Sequence, residues 1–149
     1  HLCFLLERER LLFAGDHVMD GSTVVLTPPD GDLDEYLASL RRLRAWRPAL
    51  RAIAPAHGRL IADPLDRLDH YIAHRQARHE QVVAALDAAG PEGASTADLV
   101  ATIYTDVPEA LHPVARFNVW ASLRSAAAAG RATAPDPDDA DTVWTARPV

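Results

Sequence analysis

Two histidines and one aspartate stand where the sequence predicts strands to begin or end, and these residue types can bind a metal ion. His1 precedes the first apolar run of the chain, Asp16 follows the second, and His57 follows a later one. Side chains at strand ends are held by a rigid element, which keeps metal ligands in place. Imidazole nitrogen and carboxylate oxygen are ligands that zinc takes in proteins. We therefore interpret His1, Asp16 and His57 as candidate metal ligands.

Each of these residues also has an interpretation without a metal. Aspartate after glycine is common in turns, and a His-Gly pair often only closes a loop. His1 could be left by truncation or tagging, and a residue at a chain end frays. His17 follows Asp16 directly and points away from it on a strand end. We interpret His17 as a supporting or structural residue and not as a ligand.

The first part of the chain predicts short strands. Residues 2–6 and 11–14 are apolar runs around a charged turn, which indicates an antiparallel pair. Residues 52–54 form another apolar run before the Pro55-Ala56-His57-Gly58 turn. The β-branched residues 24–26 predict one more short strand. These strands are the elements that must position the candidate ligands.

Two helices are expected in the middle of the chain. Asp32 is a predicted N-cap with Glu35 as its capping-box partner. It precedes an apolar stripe over 33–46 at helical spacing, which Pro48 ends. The arginines of this helix, at 41, 42, 44 and 47, could hold a phosphate, but a solvated helix face near the C-terminal dipole is favoured. Asp63 followed by Pro64 predicts the start of a second helix that runs to Ala89 and is long enough to join two domains.

The order of elements in the last part of the chain is typical of a winged helix. Ser95 caps a predicted helix over 96–104, and a second helix runs from Pro113 to about Ala129. The segments 131–133 and 142–145 then form a β-ribbon around an acidic turn. We expect Trp120 and Trp144 to belong to the core of this module and not to serve as stacking platforms.

Charge argues against nucleic-acid binding by this module. The formal net charge is −6, and residues 65–149 contain seven arginines against twelve aspartates and glutamates. Proteins that bind nucleic acid present basic surfaces. Arg116, Arg124 and Arg131 are the basic residues of the second helix and its exit, and four aspartates occupy the wing tip. We expect a lid, a packing platform or a dimer surface beside the active site instead.

The remaining histidines and the single cysteine favour structural roles. His70 and His74 are four apart on a helix and could face one cation, but a solvated helix surface is the favoured interpretation. His112 is expected to be a cap or turn residue. Cys3 is the single cysteine, which excludes an internal disulfide and is compatible with a reducing compartment. We expect a cytoplasmic protein. No apolar run is long enough to predict a membrane-spanning helix.

The motifs and their order resemble the metallo-β-lactamase superfamily. Gly15-Asp16 and Pro55-Ala56-His57-Gly58 are similar to its later motifs, together with His1. The segments Gly21-Ser22-Thr23-Val24 and Tyr71-Ile72-Ala73-His74-Arg75, with the winged-helix tail, resemble the branch that includes the beta-lactamase-like-2 proteins. Some members of that branch act as endoribonucleases. The resemblance covers essentially the whole chain.

This resemblance implies a two-zinc hydrolase. His1 would bind the first zinc ion, Asp16 would bridge both ions and act in catalysis, and His57 would bind the second. The family's other ligands lie in an upstream His-x-His-x-Asp-His motif that this sequence does not contain. We therefore expect a fragment that lacks the N-terminal half of the domain, with three of the usual seven ligands and no activity alone. An ester, a thioester or an RNA phosphodiester is the expected substrate.

The sequence as a whole predicts an α+β chain. Residues 1–63 are expected to form the C-terminal portion of an αββα metallo-β-lactamase domain, 64–90 a linker helix, and 91–149 the winged helix. If these residues fold without the upstream half, we expect aggregation or homodimerisation through exposed Phe4, Leu6 and Phe13. The alternative from another functional class is a non-catalytic winged-helix module that binds nucleic acid or a protein partner.

Overall fold

Short strands alternate with helices along the chain, which confirms the predicted α+β class. The computed structural model describes residues 2–147. In chain order the elements are β1 (Phe4–Leu6), β2 (Leu11–Gly15), α1 (Leu33–Ala45), β3 (Ala52–Pro55), α2 (Pro64–Ala88), β4 (Ala94–Ser95), α3 (Thr96–Ile103), α4 (His112–Ala128), β5 (Ala132–Thr133) and β6 (Val143–Ala146), with 3₁₀ turns at Gly90–Glu92 and Glu109–Leu111.

The residues cluster into two compact units. The first contains the residues up to Val24 together with Leu37–Arg75, and the second contains Val25–Tyr36 together with the residues from Gln76 onward. Helices α1 and α2 therefore each contribute residues to both units. The predicted divisions at residues 63 and 90 stay predictions.

The first unit contains a three-stranded sheet in the order β1-β2-β3. Strands β1 and β2 are antiparallel, with Phe4 opposite Phe13, as the sequence predicts. Strand β3 lies parallel to β2, with Ile53 opposite Leu12. Parallel neighbours need a long crossover connection, and here that connection contains α1. The two parallel strands consequently end at the same edge of the sheet.

Side chains alternate between the two faces of this sheet. Leu12 and Ile53 point to one face and are buried. Phe4, Leu6 and Phe13 point to the other, where between 46% and 66% of each side chain is exposed. Because successive strand residues face opposite sides, this exposed face follows directly from the register. The face is apolar, as the sequence predicts.

The helix boundaries mostly agree with the caps and breakers in the sequence. The backbone N–H of Glu35 donates to Asp32 Oδ1 at 2.8 Å, so Asp32 caps α1 as predicted. At the other end of α1, the prediction that the apolar stripe continues to residue 46 is wrong. The helix ends at Ala45, and the side chain of Trp46 is exposed. Helix α2 begins at Pro64, and Asp63 Oδ1 accepts the N–H of Asp66. None of the helices formed by residues 2–147 combines the length and apolar character needed to cross a bilayer.

The strand predicted over residues 24–26 is wrong. These residues have no ladder partner, and their backbone groups are bound by side chains instead. The guanidinium of Arg75 donates to the carbonyl of Val24, and the N–H of Leu26 donates to Asn118 Oδ1 at 3.0 Å. β-branched residues favour an extended backbone, but a strand also needs a neighbouring strand to pair with.

The second unit has the helix, helix and ribbon order that the sequence predicts. Ser95 and Asp98 form a capping box at the start of α3. The small sheet has the order β4-β6-β5, with β6 antiparallel to both neighbours. Its core contains Trp144, fully buried, together with Trp120 from α4 and Leu99 from α3. Both tryptophans are therefore core residues, as predicted.

Gly93 lies against the backbone of β6, and we expect its replacement by alanine to destabilise the second unit. Its φ is +72°, and an added Cβ would lie 2.1 Å from the Trp144 carbonyl oxygen. Gly90 has a similar φ of +73°, but a Cβ there would meet nothing within 4 Å. Since only Gly93→Ala adds a backbone clash to the φ strain, it should cost about 1–3 kcal/mol more than Gly90→Ala. Urea denaturation of both variants measures this difference, and equal costs would contradict it.

Stability should fall at mildly acidic pH because of His79. Burial lowers the pKa of His79, and its Nδ1 has no hydrogen-bond partner among the described residues. The unfolded chain takes up a proton at this position near pH 6.5, whereas the folded chain does so only at lower pH. The contribution of the neutral His79 to the free energy of unfolding is thus fully present above about pH 6.5 and is lost as the pH falls below that value. His79→Gln should reduce the drop in urea midpoint between pH 7.5 and 5.5, whereas His70→Gln, at an exposed position of α2, should leave it unchanged.

Candidate metal centre

The carboxyl ends of β2 and β3 bring two of the three candidate ligands together. Asp16 follows Gly15, the last residue of β2, and His57 follows β3 after one further residue. The two chain segments are joined by a hydrogen bond from Ala56 N–H to the Gly15 carbonyl, at 2.9 Å. Gly15 has a φ of +55°, which turns the chain at the sheet edge. The strand pairing therefore places both turns side by side.

The side chains of Asp16 and His57 face each other. Asp16 Oδ1 lies 3.4 Å from His57 Nε2, and 49% and 74% of the two side chains are exposed. Two ligands about 2.0–2.2 Å from one tetrahedral zinc ion lie about 3.4 Å apart, so this separation fits a shared metal ion. The chemistry of the pair fits as well, because carboxylate oxygen and imidazole nitrogen are both ligands that zinc takes. The residues present therefore fit part of a zinc site.

The third candidate, His1, lies outside the described residues. Within residues 2–147, no cluster of three or more His, Cys, Asp or Glu side chains is arranged to hold a metal ion. The described part of the chain thus brings two candidate ligands together. The metal role of His1, Asp16 and His57 stays a prediction.

His17 has the structural role that its position next to Asp16 predicts. It is buried, and its Nε2 lies 3.0 Å from Ser39 Oγ on α1. Burial lowers the pKa of His17. The neutral imidazole therefore links the Asp16 loop, which we define as residues 16–22, to α1.

Sequence reasoning missed Asp20, which joins the Asp16 loop to the turn that carries His57. We define this turn, residues 56–59, as the His57 turn. The carboxylate of Asp20 binds the backbone and guanidinium of Arg59 and the guanidinium of Arg67. The hydrogen bonds from Arg59, more than any other contact, hold the pKa of Asp20 below its ordinary value. An aspartate before a glycine looks like an ordinary turn residue in sequence, so no local signal marks this role.

Tyr71 of α2 has a second role that its place on the apolar stripe does not show. Its side chain is 2% exposed, and its hydroxyl donates to the backbone of the Asp16 loop at the carbonyls of Met19 and Ser22. The same oxygen accepts the Met19 N–H at 3.2 Å. The loop that carries Asp16 is therefore bound to α2 by a buried polar group.

The other cysteine and histidine candidates have structural surroundings of their own. His70 and His74 stack on one face of α2, with ring centroids 6.2 Å apart. His112 is the first residue of α4, and its Nε2 lies 3.2 Å from the Val107 carbonyl, which agrees with a cap or turn role. Burial raises the pKa of the Cys3 thiol, which disfavours the reactive thiolate.

Three arginines of the second unit, those of α4 and its exit, are held by carboxylates. Arg116 pairs with Asp141, and Arg124 pairs with Asp138 at the acidic turn. Arg131 binds both carboxylate oxygens of Glu80, at 3.1 and 3.2 Å. Phosphate would have to displace these carboxylates to reach the guanidinium groups. These pairs support the prediction that this unit does not bind nucleic acid, which stays a prediction.

Comparison with known proteins gives one domain match and several relatives. Residues 95–138 match the family Beta-lactamase associated winged helix domain. The chain is 33% identical over 115 residues to "Beta-lactamase-like protein 2 homolog" from Drosophila melanogaster, a match that covers 77% of this chain and 37% of that protein. The chain thus spans less than half the length of this relative.

Two solved structures have the same fold over nearly all of this chain. A metallo-beta-lactamase family protein from Thermus thermophilus is similar with a TM-score of 0.78 at 24% identity, covering 99% of this chain and 45% of that one. A Beta-lactamase domain protein from Burkholderia ambifaria is similar with a TM-score of 0.80 at 22% identity, covering 99% and 44%. The fold of this chain therefore corresponds to somewhat under half of each of these proteins.

Proposed function

We propose that the chain acts in a zinc-dependent hydrolase, as a member of the metallo-β-lactamase superfamily that carries a C-terminal winged helix. The observation that supports this most is the 3.4 Å separation between Asp16 Oδ1 and His57 Nε2 at the edge of the sheet. The relatives are named as lactamase-like proteins, and hydrolysis is the chemistry that such names describe.

In this proposal Asp16 and His57 supply part of the ligand set. Asp16 would supply a carboxylate whose negative charge offsets that of the metal, and His57 would supply an imidazole nitrogen. Since residues 2–147 bring together only these two, the remaining ligands come from outside that range. His1 is the candidate that the sequence offers. When bound, a pair of zinc ions lowers the pKa of a water molecule and stabilises negative charge on the substrate oxygen.

The chain's own residues keep this part of the site in place. His17 ties the Asp16 loop to Ser39, and Tyr71 ties it to α2. The exposure of His57 leaves its ring open to a cation and a substrate approaching from solvent. An ester, a thioester or an RNA phosphodiester is the proposed substrate, because each places a polarised oxygen next to the atom that water attacks.

Hydrolysis assays with the whole protein test this proposal. The protein, loaded with zinc, is incubated with an aryl ester, an acyl thioester and a single-stranded RNA oligonucleotide. We expect cleavage of at least one of these that EDTA abolishes, that zinc restores and that His57→Ala removes. His70→Ala, at an exposed histidine of α2, is the matched control and should retain activity. If the zinc-loaded protein leaves all three substrates intact, the proposed function is wrong.

A further inference from the structure

We propose that Asp20 is a positioning residue that fixes the His57 turn against the Asp16 loop. The inference rests on the proposed function only where it assigns His57 to a metal ion. Asp20 lies in the Asp16 loop, so a bond between Asp20 and the His57 turn connects the two candidate ligands through a second route. The first route is the β2–β3 pairing itself.

Asp20 holds the His57 turn on both sides of Gly58, the residue that follows the histidine. Its backbone N–H donates to the His57 carbonyl at 3.4 Å. Its Oδ2 accepts the backbone N–H of Arg59 at 3.3 Å. The two bonds flank Gly58, so the peptide groups on either side of it are both tied to Asp20. Fixing the backbone of a turn restricts where the side chain that it carries can point.

The turn lies directly on Asp20 with no room between them. A Cβ added to Gly58 would lie 2.6 Å from the Asp20 carbonyl oxygen and 2.7 Å from the Asp20 Cβ. Gly58 also has a φ of +94°, which favours glycine. The close approach lets the backbone of one turn contact the backbone of the other. This contact therefore explains why a glycine follows His57, since any side chain at position 58 would clash with Asp20.

Asp20 is itself held in position. Its Oδ1 accepts a hydrogen bond from Arg67 Nη2 of α2 at 2.9 Å, and 17% of its side chain is exposed. Tyr71 binds the backbone of the neighbouring residue, Met19, from the same helix. The Asp20 carboxylate thus connects α2 to the turn that carries His57. Groups that orient a metal ligand in this way affect metal affinity without touching the metal.

Three variants separate this role from a general effect on folding. Asp20→Ala removes the acceptor for the Arg59 N–H and for both guanidinium groups. Asp20→Asn keeps one carbonyl oxygen as an acceptor and should therefore keep part of the restraint on the His57 turn that Asp20→Ala loses. Arg59→Ala removes an exposed guanidinium group but keeps the backbone N–H bond, so it is the matched control.

Two measurements on the metal-free protein report on the turn directly. Amide hydrogen exchange at Arg59 should become faster in Asp20→Ala, since the N–H loses its acceptor. NMR relaxation of the His57 imidazole should show a more mobile ring in Asp20→Ala and a ring like the wild type in Arg59→Ala.

In zinc titrations Asp20→Ala should lower the affinity for zinc about tenfold, Asp20→Asn should lower it less, and Arg59→Ala should lower it less than about twofold. Thermal denaturation checks that each variant is folded, and Asp20→Asn carries the test if Asp20→Ala does not fold.

The outcomes distinguish this inference from the proposed function. Unchanged Arg59 exchange and unchanged His57 ring mobility in Asp20→Ala would overturn the positioning role. A second result would also overturn it. That result is faster Arg59 exchange in Asp20→Ala with unchanged zinc affinity, when His57→Ala shows that zinc affinity depends on His57. If zinc binding does not depend on His57 at all, the proposed function fails, and the two metal-free measurements still decide whether Asp20 fixes the turn.

Discussion

Replacing His57 by alanine is expected to lower the affinity of the whole protein for Zn²⁺ by at least about tenfold. Loss of groups that only orient a ligand costs about 10–100-fold in metal affinity, and loss of a ligand should cost no less. Asp16→Asn should have a comparable effect, because the amide lacks the negative charge of the carboxylate. The reason for treating both together is that their donor atoms lie 3.4 Å apart.

Competition with a chromophoric zinc indicator at pH 7.5 measures these affinities. Both side chains are about half exposed or more, so neither variant should change the melting temperature by more than a few degrees. His70→Ala is the matched control, because His70 and His74 stack on α2 and form the histidine pair most able to compete for zinc. A loss of affinity in His70→Ala but not in His57→Ala would place the zinc on α2 and contradict the prediction.

Trp144→Ala is expected to destabilise the second unit by about 3–5 kcal/mol, the usual cost of removing a large buried aromatic side chain. Trp144 is fully buried in the middle strand of the small sheet, where β6 pairs with both β4 and β5. Its side chain belongs to the core cluster with Leu99 and Leu123. Removing it leaves a cavity that three elements would have to close.

Two further variants test whether burial is the cause. Trp46→Ala removes the same side chain at an exposed position and should cost less than about 1 kcal/mol. Trp144→Phe should cost less than Trp144→Ala, since it keeps most of the volume and removes an indole N–H that has no acceptor among the described residues. Urea denaturation followed by circular dichroism measures all three. Equal losses for Trp46→Ala and Trp144→Ala would show that the core assignment is wrong.

Local signals in the sequence predicted most of the elements. Asp32, Asp63 and Ser95 cap the helices that follow them, because a side-chain oxygen can bind an N–H two or three residues away. The apolar runs at 2–6 and 11–14, with a charged turn between them, predicted the antiparallel pair. Such signals depend on neighbouring residues alone, so a single sequence contains them in full.

The prediction over residues 24–26 went wrong where a distant partner decided the structure. Arg75 and Asn118 bind the backbone there, and nothing near residues 24–26 in sequence announces them. The carboxylate partners of Arg116 and Arg124 could not be predicted either. The sequence contains the acidic and basic residues, but it does not indicate which of them form ion pairs.

The same distinction applies to the candidate centre. The sequence by itself determined that Asp16 and His57 stand at the ends of apolar runs, where ligand-type residues can be held rigidly. Only the tertiary structure decided that these ends meet, because the parallel pairing of β2 with β3 depends on a crossover through α1. It also decided that Asp20 of the Asp16 loop contacts the His57 turn, since its partners Arg59 and Arg67 come from chain segments that local propensity does not connect to it. Residue types are written in the chain, whereas distances between remote residues depend on how the whole chain packs.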